Sequence, residues 1–207
     1  LIRERTVTMK TIMKSVLCPV LIAAAFGSLP TKTLFAWSSG PPAYRTGAPG
    51  DEGTCNGDGC HNSFSLDSGS AKFSISGPSA YTTGETVRIE VSFSDSSGKL
   101  HGFQMTALDA DGNNIGKFKA IGKTTQVIPP KDYRGLKKED KGTYIEHTLS
   151  GNKKKSWKVK WTPPASASGT ITFYAAGNDA NGDGKNSDDY IYTTTREITA
   201  ASAASGQ

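Results

Sequence analysis

Val87, Ile89, Val91 and Phe93 alternate with Arg88, Glu90 and Ser92, and Trp157, Val159 and Trp161 alternate with Lys158 and Lys160. Strict two-residue alternation places one face of a strand in an apolar core and the other in solvent. Further short runs predict strands at 71–76, 100–108, 115–121, 123–128, 143–150, 169–176 and 190–198. Turn formers punctuate them: Gly77-Pro78, Asp95 to Gly98, Asp111-Gly112, Pro129-Pro130, Pro163-Pro164 and Asn181-Gly182. Asp109 to Asn113 reads as a hairpin turn between Leu108 and Ile115. No window sustains a helical period. The pattern predicts an all-β fold, an immunoglobulin-like antiparallel β-sandwich over residues 71–199.

Two regions escape this pattern. Residues 37–70 hold seven glycines and three prolines, too many backbone breakers for a helix or strand, so a long irregular segment precedes the sandwich. Residues 1–36 read as an export signal with a short upstream extension. Lys10 and Lys14 follow Met9, an apolar run spans Val16 to Phe26, and small Ala36 stands just before Trp37. The run is too short, and Pro19 too disruptive, for a membrane span. Residues 200–207 are small and polar and read as a flexible tail.

Charge takes its meaning from that division. The 207 residues carry 24 Lys+Arg and 19 Asp+Glu, net +5. Arg3, Arg5, Lys10, Lys14, Lys32 and Glu4 belong to the export signal, so residues 37–207 carry a net +1. The short runs at Lys137-Lys138 and Lys153 to Lys155 lack interleaved aromatics. A nucleic-acid partner therefore loses its support. The expected location is secreted or periplasmic, with no stable membrane anchor once the signal is cleaved.

The densest chemistry is Cys55-Asn-Gly-Asp-Gly-Cys60-His61. Two thiols and an adjacent imidazole are what covalent c-type haem requires: two thioethers to the vinyl groups and a proximal ligand to iron. Four residues separate the cysteines where two are usual, and Gly57 and Gly59 let the loop absorb the excess. A Cys55–Cys60 disulfide in an oxidising compartment, or a zinc site, would use the same residues. A second axial ligand would come from His147, which alternates with Ile145 and Leu149 on an apolar face, or from His101 or Met105. Asp179, Asn181, Asp183 and Asp188 place oxygens in a calcium-like pattern, although Tyr190 stands where a bidentate glutamate would close such a loop. An Asn/Asp/Gly-rich connection between strands gives the same residues. No nucleophile–base pair or paired carboxylates stand out, so no enzyme is expected.

Ser39 to Tyr44, Thr46 to Gly50, Gly53-Thr54-Cys55, Cys60-His61, Gly102-Phe103-Gln104, Glu146-His147-Thr148, Trp161 to Pro164 and Gly169 to Gly177 together resemble the bacterial Reeler-like secreted domains called choice-of-anchor V. The resemblance covers roughly residues 38–195. It implies an immunoglobulin-like sandwich behind a Cys-…-Cys-His segment, with His61 and His147 on the two histidine positions of the family, an arrangement compatible with bis-histidine haem. The expected function is an exported c-type cytochrome with one covalent haem, passing electrons to redox partner proteins or to other copies of itself. The other reading is a haem-free secreted adhesion or matrix module, stapled by Cys55–Cys60 and stiffened by calcium.

Overall fold

The computed structural model describes residues 37–202 apart from Asp58. The expected export signal and residues 203–207 of the tail lie outside the described residues. Ten strands follow in order: β1 Lys72–Ser76, β2 Ala80–Tyr81, β3 Val87–Ser94, β4 Leu100–Leu108, β5 Lys117–Ala120, β6 Thr125–Val127, β7 Ile145–His147, β8 Ser156–Thr162, β9 Thr170–Ala180 and β10 Tyr190–Ala200. One 3₁₀ turn, Asp132–Arg134, lies between β6 and β7, and no α-helix occurs among the described residues.

The strands form two sheets, one ordered β1-β3-β8-β5 and the other β2-β10-β9-β4-β7-β6. The expected all-β sandwich is what forms, with one departure from antiparallel pairing. Strand β2 runs parallel to the end of β10, Thr199 beside Ala80 and Ala200 beside Tyr81. That pairing draws Ala200, the first residue of the expected tail, into the fold.

Alternation explains the core. The four-stranded sheet contributes Phe73, Ile89, Val91, Phe93, Phe118, Trp157 and Trp161, and the six-stranded sheet Phe103, Met105, Ile145, Phe173 and Tyr192. Aromatic rings from the two layers interlock: Trp161 meets Phe173 edge-on at 5.1 Å, and Phe103 lies 4.9 Å from Trp157.

Several boundaries depart from the sequence reading. Strand β9 runs on to Ala180 because β4 and β10 pair with it on both sides, which satisfies the backbone of Gly177, Asn178 and Asp179. Strand β7 is only three residues long. Its chain turns away at Thr148, whose carbonyl accepts the Gly151 N–H at 2.8 Å. The hairpin at Asp109 forms as expected: its carboxylate accepts the N–H groups of Asp111 and Asn113 at 3.0 and 2.8 Å.

Candidate functional site

The described residues of 37–70 hold no strand, yet they are packed against the outward face of the six-stranded sheet. Backbone polar groups laid on a sheet must find partners, and outward side chains of that sheet, with Arg134 of the 3₁₀ turn, supply them. Gln104 donates to the Pro42 carbonyl at 2.8 Å and accepts from the Arg45 N–H at 2.7 Å. Gln126 donates to the Ser39 carbonyl at 2.7 Å, and Arg134 to that of Pro41 at 2.7 Å. Asp67 accepts the N–H and hydroxyl of Thr193 at 2.7 and 2.8 Å. Ala43 is buried with Ile128, Leu136 and Tyr144 in a second, smaller apolar cluster.

The centre of this network is Glu146, fully buried and paired with Arg134. Its Oε1 also accepts from Gln126 at 2.8 Å, while Oε2 is buried without a partner. Burial pushes the carboxyl up to about 7 against the opposing pull of Arg134. Gly40, at φ +109°, passes directly over the carboxylate, where a Cβ would collide with it.

The Cys–His loop is closed by its own backbone. Cys60 N–H donates to the Gly57 carbonyl and His61 N–H to the Cys55 carbonyl, both at 2.9 Å. The Asn56 amide pins the loop through the carbonyls of His61 and Phe64. Cys55 and Cys60 are free thiols, partly buried. The disulfide of the alternative reading is not part of this structure: the turns that close the loop are backbone turns. Burial, reinforced by Cys60, pushes the Cys55 thiol up to about 12, so it is protonated at neutral pH.

His61 is oriented by a carboxylate far away in the sequence. Its Nδ1 lies 2.7 Å from Oδ2 of Asp189, a residue only 1% exposed. A carboxylate only accepts, so Nδ1 is the donor of this bond. Asp189 is fixed in turn, its Oδ1 accepting the Asn181 N–H at 2.8 Å. The Asn178 amide nitrogen lies 3.3 Å from the His61 ring nitrogens, while its Oδ1 is buried without a partner.

The three candidates for a second ligand separate cleanly. Met105 is buried in the core between the sheets. His101 points the same way, against Phe93 and bonded to Asp179. His147 does not follow Ile145 into that core, as alternation predicts. It ends its strand, and its ring lies where a Cβ on Gly102 would sit only 2.5 Å away, with Nδ1 3.2 Å from both the N and O of Phe103. Gly102 and Asn178 are cross-strand partners on β4 and β9. His147 over Gly102 and His61 against Asn178 thus occupy neighbouring positions of one outward face.

Burial lowers His147 to about 4 from an ordinary 6.5, leaving it neutral at physiological pH. Between those values the unfolded chain binds more protons than the folded one, so stability rises with pH across the interval. In the haem-free chain, acidification from pH 6.5 to 4 is expected to remove about 3 kcal/mol of His147's contribution. Urea titrations of wild type and His147→Gln across that range measure it as the difference between the two.

The calcium-like residues are not gathered. Asp179 faces inward, where its Oδ1 meets Ser96 Oγ at 2.7 Å, the Gly98 N–H at 3.0 Å and His101 Nε2 at 3.0 Å. Asn181 and Asp183 close tight turns on the N–H groups of Asp183 and Lys185, and the Asp188 N–H bonds to Ser63. Among the described residues no three His, Cys, Asp or Glu side chains converge as a metal site.

Ser96, His101 and Asp179 form a Ser/His/Asp cluster the sequence does not announce, because Ser96 lies in a turn and Asp179 on a distant strand. Ser96 and Asp179 both meet His101 at Nε2, at 2.5 and 3.0 Å, and Nδ1 is buried without a partner. A relay needs the hydroxyl and the carboxylate on opposite ring nitrogens. The cluster ties the 95–98 turn to β9.

Comparison with curated proteins finds no match to the chain. The sequence profile of the Reeler domain matches residues 53–177, a span that starts just before the Cys–His loop and runs through His147 to Gly177 on β9. That span is more than half of the 207 residues, and the chain belongs to the Reeler domain family of extracellular modules.

Proposed function

We propose that this extracellular module is a c-type cytochrome that carries one covalent haem and transfers single electrons. Cys55 and Cys60 would hold the porphyrin through thioethers, and His61 and His147 would hold the iron. The observation that carries the reading is the pair of imidazoles on one outward face, over the cross-strand partners Gly102 and Asn178. The residues present fit the group. Gly102 makes room for the His147 ring where a side chain would collide with it, His61 is oriented through Nδ1 by Asp189, and His147 is held neutral.

Bound haem supplies a one-electron iron couple. The protein's part is to fix the ligands. Asp189 holds the His61 proton on Nδ1 and sets the ring plane, as carboxylates behind metal-bound histidines do. The Phe103 backbone anchors His147. The Arg134–Glu146 pair and the two glutamines clamp the preceding segment, which leads into the loop through the Thr46–Thr54 bridge. Gly59, at φ +77°, gives the four-residue spacer the turn that returns Cys60 towards Cys55. Two imidazoles held on the iron would leave no site for a substrate, so electron transfer rather than catalysis is the proposed role. The resemblance to choice-of-anchor V domains supports the same assignment.

The test is a spectrum. In chain produced with periplasmic haem-maturation machinery, His147→Ala should convert a low-spin spectrum to a high-spin one, and His101→Ala should leave spin state unchanged. A low-spin spectrum that survives His147→Ala removes His147 from the iron.

A further inference from the structure

Strand register assembles a basic surface that the linear sequence disperses. On the outward face of the four-stranded sheet, Arg88 on β3, Lys160 on β8 and Lys119 on β5 stand directly opposite one another. Lys117, Lys158 and Lys72 extend the array along and across the strands. Glu90 is the one carboxylate among the outward positions of these strands, and every other outward residue is Ser or Thr. Like charges directly opposite across a sheet repel. Lys72 pairs with Asp95 at 3.3 Å and Lys158 with Glu90 at 3.8 Å, whereas among the described residues Arg88, Lys119 and Lys160 pair with no carboxylate. Residues 37–207 are nearly neutral in sum, so this face is charged by segregation. Asp51, Glu52, Asp67, Asp183, Asp188 and Asp189 lie on the segment and loop associated with the other sheet.

We propose that this face is a peripheral docking surface for an anionic lipid bilayer, binding phosphate headgroups. The cations spread in two dimensions over four strands of a rigid sheet, about 4.8 Å apart from strand to strand, which matches a planar array of anions better than a single linear polymer. The face offers no apolar or aromatic side chain for a protein interface core or for stacking bases. Binding is electrostatic and reversible, weakened by salt. Docked this way, the module holds the Cys–His face away from the membrane.

The experiment is cosedimentation of the full chain with phosphatidylglycerol–phosphatidylcholine vesicles, beside vesicles of phosphatidylcholine alone. Wild type should bind the anionic vesicles at low salt, release at high salt and ignore the neutral ones. K119E/K160E should bind at least about tenfold more weakly, with an unchanged or raised melting temperature because it relieves repulsion. K138E/K153E, the same charge change elsewhere, should bind like wild type. Absence of binding by wild type, equal losses in the two variants, or retention on heparin or duplex DNA without vesicle binding overturns the proposal.

Discussion

Arg134→Ala is expected to lower the unfolding free energy by about 3–5 kcal/mol, a large share of what a domain this size possesses. Arg134 is 4% exposed and Glu146 fully buried, so the variant leaves a carboxylate in a dry site whose Oε2 is already unpartnered. The Pro41 carbonyl loses its donor at the same time. The loss should shrink as pH falls, because a protonated Glu146 no longer needs a cation. Replacing both partners, Arg134→Met with Glu146→Met, should recover most of the loss, since neither charge then stays buried alone. Urea unfolding at pH 8 and pH 5 reads both effects. Hydrogen exchange at the Ala43 and Arg45 amides shows whether the segment over the sheet has been released, because those amides bond to Arg134 and Gln104.

Trp161→Ala should cost a similar amount, about 3–5 kcal/mol, by a different route. The indole is wholly buried, meets Phe173 edge-on, touches Tyr81 at 6.1 Å between centroids and donates to the Ile115 carbonyl at 3.2 Å. Truncation leaves a cavity between the two sheets and an acceptor without its donor. Trp161→Phe should recover part of the loss by refilling the volume while leaving the carbonyl unpaired. Thermal unfolding followed by circular dichroism measures both variants. A cost below about 1 kcal/mol for the alanine variant would mean the sheets can close over the gap.

Strands with one buried face were legible because alternation is a local signal: β3, β4 and β8 lie within a residue of the expected positions. Elements set by neighbours were not. The strand expected to end at residue 176 continues through Gly177-Asn178-Asp179 in the middle of a sheet, and two-residue β2 exists only because the end of β10 lies beside it. The same divide runs through the site. Cys55, Cys60 and His61 announce themselves by adjacency. Asp189 becomes a partner of His61 only when β10 brings it across 128 positions. Arg134 and Glu146 carry no mark of pairing until the chain between β6 and β7 folds back. His147 was visible as a candidate, but alternation put it on the wrong face because its strand ends there. The basic sheet escaped notice for a similar reason, since β1, β3, β5 and β8 each contribute only one or two of its cations.

The central claim is covalent haem on Cys55 and Cys60, and the visible spectrum of denatured protein tests it most directly. Chain exported in a host with haem-maturation machinery should retain its Soret and α bands after unfolding and solvent extraction, and C55S/C60S should lose both. A wild-type chain that emerges colourless from maturation, or that surrenders its colour to extraction, contradicts the account.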